Sequence, residues 1–359
     1  RRRDHGIELH TEIVVAPDDD VELRRLRIAN RTGTTRTMEL TSYAEVAPAT
    51  VQMEILAERD ALVCAHGQAW LLNVMTVHGA DAPGAQFGTD RAHFIGRGRS
   101  RAHPAALEAR APLDGLDGAV SDPALAIRRI LTLAPHQEAT VDIVLGVAET
   151  RDHALRLIDK YRDRQVADRV PELAWTHGQV MLRQLNASEA DAQLYARLAG
   201  SVLCPQPALR ADPAVIARNQ YGRADLEALG IPGDRPLVLL HLRDAANLGL
   251  ARQAVQAYAW WRAKGLAANL VAWCDGPAAL QDEVMRLPGA GGVYVCTSEQ
   301  LSLEDRMLMQ AVARVVLADD QGSLAEQLRR AAARKAGRRG EYDAGAEYRG
   351  VYVGGGRLI

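Results

Sequence analysis

The stretch Val21-Glu-Leu-Arg-Arg-Leu-Arg-Ile28, followed by Asn30-Arg-Thr-Gly33 and then Thr37-Met-Glu-Leu-Thr-Ser-Tyr-Ala-Glu-Val46, reads as two extended segments separated by a turn. Apolar side chains in both runs recur largely at every second residue, as they do on one face of a pleated strand. Asn and Gly tolerate positive φ, which suits the reversal at 30–33. Upstream, Ile7–Val14 partly alternates; downstream, Ala61–Ala65, Ala69–Val77, Ala124–Leu133 and Ala139–Val147 are further strand candidates. Short strands at this spacing, divided by turn signals, favour an antiparallel β-sandwich over a parallel sheet. It is expected over residues 1–149. The chain opens on Arg1-Arg2-Arg3 and not on Met, so this domain is read as N-terminally incomplete. The stretches 78–88 and 97–122 are rich in Gly, Pro, Ala and Asp and read as loops, and Asp18-Asp19-Asp20 reads as a solvated turn.

Helical spacing begins near Thr150. Ala154, Leu157, Ile158 and Tyr161 fall on one face, as do Leu173, Val180, Leu182 and Leu185, followed by Ala192–Val202. Ser188-Glu-Ala-Asp191 has the form of a helix N-cap with Asp in the Glu or Gln place of a capping box. Cys204-Pro-Gln-Pro207 ends the block, because Pro cannot continue a helix. Residues 150–205 therefore read as a helical connector. From Pro236 the pattern changes to strands at Leu237–Leu242, Leu270–Trp273 and Gly292–Cys296, alternating with helices at Leu248–Lys264, Ala278–Leu287 and Leu303–Val316. That alternation predicts a small three-layer α/β unit with a parallel sheet over 206–322. Residues 323–359 read as an Arg/Ala-rich helix and a linker tail that begins at Gly337-Arg-Arg-Gly340. The fold class expected is multidomain, β plus α/β.

Composition narrows the function classes. With 359 residues, two or three domains are expected. A net charge of −2 leaves no global basic field to hold nucleic acid or an anionic membrane. No apolar run approaches the roughly 18–20 residues that span a bilayer, and no secretion signal is visible at the start. Lys160, Lys264 and Lys335 are the only lysines among 43 basic residues, so a single arginine carries little functional weight here. Cys64, Cys204, Cys274 and Cys296 are scattered, without the close ligand pairs a zinc site needs. They read as separate, mostly buried thiols of a reducing compartment.

The α/β unit raises the question of a nucleotide site, which would need G-x-G-x-x-G directly after a strand. After Leu242 the chain offers only Gly249, and the cluster Gly289-Ala-Gly-Gly292 precedes a strand instead of following one. Asp244, Asp275 and Glu299 lie near the carboxyl ends of the expected strands, where ligands of open α/β sheets gather, or else simply begin the following loops. The ten histidines show no metal-ligand spacing, and no G-x-S-x-G elbow occurs. No catalytic set, metal or cofactor is expected. Of Trp260 and Trp261, adjacent on a helix and so about 100° apart, at most one is expected to be exposed.

Several collinear stretches resemble the cyclic β-1,2-glucan synthases, in their glycoside-phosphorylase-like region of the cellobiose and chitobiose phosphorylase type. Asp90-Arg-Ala-His-Phe-Ile-Gly-Arg-Gly-Arg99 followed by His103-Pro-Ala-Ala-Leu107 is similar to the motif that closes a strand of that family's β-sandwich. Val21–Leu26 and Leu40–Val46 are similar to sandwich strands, and Glu172–Val180 to the helix that follows. Tyr258–Leu266 and Gln321–Gln327 resemble later segments. The match runs to about residue 328, with departures after Val46 and over 222–236, where aromatic residues before Gly230 are missing.

The resemblance implies a membrane-embedded glycosyltransferase that builds β-1,2-glucan, and a phosphorolytic region made of a sandwich, helices and an (α/α)6 barrel that holds the catalytic acid. This sequence would stop before that barrel. The chain is then a non-catalytic, carbohydrate-associated portion of the enzyme, on the cytoplasmic face of the bacterial inner membrane. Its expected partners are β-1,2-glucan or a related oligosaccharide and the rest of the synthase chain, with a homodimer as a further possibility and no nucleic acid. Arg97 and Arg99, flanked by Gly96 and Gly98, are the candidates to reach sugar or phosphate, with Trp70 as a candidate stacking surface. A solvated loop and a core tryptophan are the competing readings of the same residues. An interaction module without sugar contact, and a nucleotide-using α/β enzyme, remain as alternatives.

Overall fold

The computed structural model describes residues 1–46, 50–108, 112–113, 115–339 and 352–354. The chain divides into two units, one comprising Arg1–His177 with the described stretch Tyr352–Gly354, the other starting at Gly178, so that the division falls inside a helix. Of the linker tail expected from Gly337 onward, residues 337–339 continue a helix, and the rest lies outside the described residues except for Tyr352–Gly354.

The first unit is an antiparallel sandwich. Its strands are β1 (Arg2–Asp4), β2 (Ile7–Val15), β3 (Val21–Asn30), β4 (Arg36–Glu45), β5 (Val51–Leu56), β6 (Ala61–His66), β7 (Ala69–His78), β8 (Gln86–Asp90), β9 (Gly118–Val120), β10 (Pro123–Leu133) and β11 (Glu138–Ala148). Short helices α1 (Arg91–Ile95) and α2 (Ala105–Glu108) follow β8, and α3 (Arg151–Arg162) and α4 (Arg164–Gln184) follow β11. The larger sheet runs β1-β2-β3-β11-β7-β6-β5-β9; the shorter is β4-β10-β8, with Tyr352–Gly354 running parallel to β4 on its outer side.

The two segments that open the sequence do not pair with each other. β3 lies between β2 and β11 in the large sheet, and β4 pairs with β10 in the short one. The turn between them carries the chain from one layer to the other. Fully buried Asn30 fastens it, donating from Nδ2 to the carbonyls of Thr34 at 2.8 Å and Ala134 at 2.9 Å while Oδ1 accepts from the Thr32 amide at 3.0 Å.

Period-two alternation sorts each strand's side chains between two cores. Leu26, Ile28, Leu62, Cys64, Met75, Val141 and Ile143 point into the sandwich and meet Leu40, Leu125, Ile127 and Leu131 of the short sheet. Val21, Leu23, Val63, Leu72, Val74 and Val144 point the other way, against Ala154, Leu157, Ile158 and Tyr161 of α3 and Ala167 and Val170 of α4. The apolar positions of β3 therefore switch parity, odd at Val21 and Leu23 and even at Leu26 and Ile28, because both faces of this strand are covered.

At the switch stands Arg25. Its guanidinium makes two 2.7 Å bonds to the two carboxylate oxygens of Asp142, which is wholly buried, and a 2.6 Å bond to Asp168 of α4. Asp19 does a similar job at the end of α3. The turn expected to be solvated is so only at Asp18 and Asp20, since Asp19 accepts from Lys160 at 2.5 Å and Tyr161 at 2.7 Å. Burial pushes the Asp19 carboxyl up, but those two bonds outweigh it and hold it below the usual carboxylate range.

The stretches expected as loops contain two strands and a helical turn. β8 was hidden because Gln-Phe-Gly-Thr-Asp is poor strand composition. It pairs at the edge with β10, where Gly88 lets the chain approach: a Cβ there would stand 3.3 Å from that of Ala126.

The second unit continues with α5 (Glu189–Leu203), α6 (Pro213–Arg218), α7 (Arg223–Ala228), β12 (Leu237–Leu242), α8 (Leu248–Ala263), β13 (Asn269–Cys274), α9 (Ala278–Met285), β14 (Tyr294–Thr297), α10 (Leu303–Val312), β15 (Val315–Ala318) and α11 (Leu324–Arg339). The capping box at Ser188 and Asp191 opens α5 as expected, with bonds of 3.2 and 2.9 Å. The sheet is parallel, in the order β14-β13-β12-β15. α5, α8, α9 and α11 cover one face, and α7 and α10 the other. This is the three-layer unit expected, with one correction: Val315 and Val316 belong to a fourth strand and not to the preceding helix. Short apolar runs look alike in either state, and here pairing with β12 decided. Trp261 is buried and donates to the Tyr195 carbonyl at 2.9 Å, whereas Trp260 is half-buried, as adjacent helix positions require. No helix among the described residues is long and apolar enough to cross a membrane.

Removing one partner of a buried ion pair strands the other charge. Asp142→Ala should therefore cost about 3–5 kcal/mol in urea-unfolding experiments. Arg59→Ala, which breaks the exposed Arg59–Asp159 pair, should cost less than about 1 kcal/mol. Equal losses in the two variants would contradict the structural weight given to the Arg25 network.

Candidate functional site

The outer face of the short sheet carries the motif that begins at Asp90. Along β4, the side chains of Leu40 and Ala44 enter the core, so Glu39, Thr41, Tyr43 and Glu45 point outward. The segment from α1 to α2 lies across this face as a strap. Asp90 caps α1 by accepting from the His93 amide at 2.8 Å. Phe94, one of two phenylalanines in the chain, stacks on Tyr43 with ring centroids 4.3 Å apart. Arg128 of β10, almost wholly buried, donates to the Ala106 carbonyl and to the Thr41 hydroxyl, fixing α2.

Glu45 is the polar centre of this face. Its side chain is 15% exposed and accepts from the Tyr43 hydroxyl at 3.1 Å, from Arg91 Nε at 3.1 Å and from Arg101 Nη1 at 3.5 Å. Arg91 also reaches Asp122 at 3.5 Å. Between the two fastened arginines the chain turns through Gly96 and Gly98, at φ +83° and +72°. Gly96 is needed twice over, since a Cβ there would sit 2.6 Å from Ala105 Cβ.

Arg97 stands at the tip of this turn, exposed and without a hydrogen-bond or ion-pair partner among the described residues. Arg99 is also exposed but is paired with Glu108 at 2.5 Å. Trp70 lies elsewhere. It is half-buried on β7 against the core that α3 covers, on the far face of the large sheet, so two sheet layers separate it from the strap. The fold thus brings Arg97 and Arg99 together and leaves Trp70 apart from them. Glu45, Tyr43 and Arg101 escaped the sequence reading. Their only sequence signal is the outward parity of β4, which has meaning once the inner face is known.

At the carboxyl edge of the parallel sheet the geometry argues against a bound nucleotide. The edge's natural anion site lies between β12 and β15, where the strand order reverses. Asp319, buried at the end of β15, already occupies it, accepting from the amides of Arg243 at 2.8 Å and Asp244 at 3.0 Å and from Asn247 Nδ2 at 3.4 Å. Burial raises its carboxyl, and these donors more than compensate, holding it below the usual range. Asp244 caps the next helical turn by accepting from the Ala246 amide. Asp275 accepts from the Ser298 hydroxyl, which in turn accepts from Trp273 Nε1 at 2.8 Å; Glu299 is exposed. These carboxylates fasten loops. Among the described residues no three His, Cys, Asp or Glu side chains gather as a metal site would require.

His241 sits in this edge, stacked on Trp273 at 3.9 Å, with Nδ1 facing Arg243 Nη2 at 3.4 Å and Nε2 facing Asp275 at 3.6 Å. Burial, helped by Arg243 and opposed by Asp275, pulls its pKa below the ordinary 6.5. The unfolded chain therefore takes up this proton first as pH falls. His241 contributes its full stability above pH 6.5 and loses it progressively below, down to the folded pKa. His241→Gln should flatten the dependence of urea-unfolding stability on pH between 7 and 5. A slope identical to that of the parent would contradict this.

Residues 1–164 match the family model of the glycosyl hydrolase 94 supersandwich domain. A curated protein, the cyclic beta-(1,2)-glucan synthase NdvB of Rhizobium meliloti (strain 1021), is 29% identical over 285 residues, covering 72% of this chain and 10% of that protein. The chain spans about a tenth of the length of the relative it matches. The sandwich with its strap over the short sheet is thus similar to the glycosyl hydrolase 94 supersandwich domain, and the chain as a whole is similar to part of a cyclic β-(1,2)-glucan synthase.

Proposed function

We propose that this chain is a non-catalytic, carbohydrate-associated portion of a glucan synthase of the glycoside-phosphorylase-like kind, and that its sandwich helps bind and position β-1,2-glucan. The remainder of such an enzyme, an (α/α)6 barrel and a membrane glycosyltransferase at the cytoplasmic face of the inner membrane, would be its partner. The similarity to the synthase supports the setting. One local observation supports the contact: Arg97 is presented at the tip of a fastened turn while the other strap arginines are occupied. A guanidinium offers five N–H donors in a fixed fork, suited to adjacent hydroxyls of a glucan or to a phosphate oxygen pair.

A second reading, a docking module without sugar contact, draws on α4. Leu173 and Trp175, 49% and 65% exposed, stand two residues apart and so on opposite sides of the helix, an uncommon cost for a helix left in water.

Isothermal titration of the chain with linear β-1,2-glucan separates the two. The sugar reading expects saturable binding, weakened about tenfold in Arg97→Ala, since a hydrogen bond from a charged group contributes about 1.5–3 kcal/mol. Absence of saturable binding, or an unchanged affinity in Arg97→Ala, would overturn it.

A further inference from the structure

We propose that Glu45 is the positioning residue of the Arg97 turn, holding a cationic strap in the one shape that presents Arg97 to a ligand; as a role in glucan contact, this rests on the function proposed above. The strap from residue 91 to residue 103 contains Arg91, His93, Arg97, Arg99, Arg101 and His103 and no acidic residue. Left to itself such a segment repels itself and spreads into water. Glu45 answers from the sheet below. One carboxylate takes Arg91 on Oε1 and Arg101 on Oε2, one arginine on either side of the Arg97 turn, and the buried Tyr43 hydroxyl as a third donor. The two ends of the turn are thereby closed on one point.

The other fastenings are differently placed. The Tyr43–Phe94 stack and the Asp90 cap hold α1, and Arg128 holds α2 through the Ala106 carbonyl. Within the turn, the Arg99 and His103 amides donate to the Gly96 and Ser100 carbonyls at 3.2 and 3.0 Å, which shapes it without attaching it to the sheet. The contacts of Glu45 with Arg91 and Arg101 tie both flanks of the turn to β4, beside the Tyr43–Phe94 stack on one flank. Arg99 is diverted to Glu108, so that among the described residues Arg97 keeps its donors for something outside the fold. A glutamine at position 45 would keep the shape and lose the charge, leaving the sheet core untouched because the side chain points away from it.

The test uses the full chain and two independent readouts. Site-resolved limited trypsin digestion reports opening of the strap, because cleavage after Arg97 and Arg99 follows the population of the open form. In Glu45→Gln this cleavage should be faster by about tenfold, with the melting temperature within a few degrees of the parent. Titration with linear β-1,2-glucan should show Glu45→Gln weakened. The double variant Glu45→Gln/Arg97→Ala should be no weaker than Arg97→Ala alone, the non-additivity expected of residues acting as one unit. If Glu45→Gln does not fold, Arg101→Gln, on the 64% exposed side of the same contact, gives the cleavage readout instead. Unchanged cleavage in the variant read would overturn the fastening. Full glucan affinity in Glu45→Gln alongside its loss in Arg97→Ala would overturn the positioning role. Faster cleavage with no saturable glucan binding by the parent chain would uphold the fastening and bring down the sugar reading instead.

Discussion

An eight-stranded sheet with apolar side chains on both faces has to be covered twice, and the contact of Arg25 with Asp142 and Asp168 is where the second cover is fastened. The short sheet covers one face mainly by apolar packing, joined by the buried bond from Asn73 Nδ2 to the Ser42 hydroxyl at 3.2 Å and the Arg129–Asp60 pair at 2.7 Å. On the other face α3 and α4 lie over Val21, Leu23, Val74 and Val144, and the guanidinium of Arg25 reaches from β3 to β11 and up to α4. Burying a carboxylate as completely as Asp142 costs several kcal/mol unless both its oxygens are met. Here they are met by two parallel N–H donors of one fork, the geometry that makes arginine and not lysine suitable. The contact forms only when β3, β11 and α4 are all in register, so it selects one arrangement as well as tolerating its own desolvation.

The same device recurs in smaller form wherever a loop must be held. Asp19 takes the end of α3, Asp319 takes the loop after β12, and Glu45 takes the strap over the short sheet. In each case a carboxylate rooted in the sheets or their turns collects donors from a neighbouring segment. For the parallel sheet this has a functional consequence. The amides of Arg243 and Asp244, beside the point where the strand order reverses, are already satisfied by Asp319 and are not open to a phosphate. On the sandwich, Glu45 and Glu108 are taken by Arg91, Arg99 and Arg101, and among the described residues Arg97 has no partner.

Much of this could be read from the residues in order. The strands at 7–14, 21–28, 37–46 and 139–147 announced themselves by alternation, and the capping box at Ser188 by its spacing, because both signals are local. β8 and β15 did not. Phe87 and Gly88 make a strand only because β10 supplies the partner, and Val315 reads equally well as the last turn of a helix until it meets Val238. The pair Arg97 and Arg99 was legible as a Gly/Arg motif. That Arg99 is paired depends on Glu108, nine residues further on, and on the direction the turn takes.

The sequence by itself determined the sandwich, the three-layer unit, the lack of a nucleotide fingerprint and the likeness to glucan synthases, all of which rest on periodicity or on collinear motifs. Only the tertiary structure decided that β3 and β4 belong to different sheets, that Asp19 is a fastening and not a solvated turn, that Trp70 is remote from the strap, and that Glu45 lies beneath it. The physical reason is the same for each. Alternation fixes which residues share a face of a strand, but whether that face meets water, a helix or a distant loop is set by pairings between residues tens of positions apart, and no local pattern encodes them.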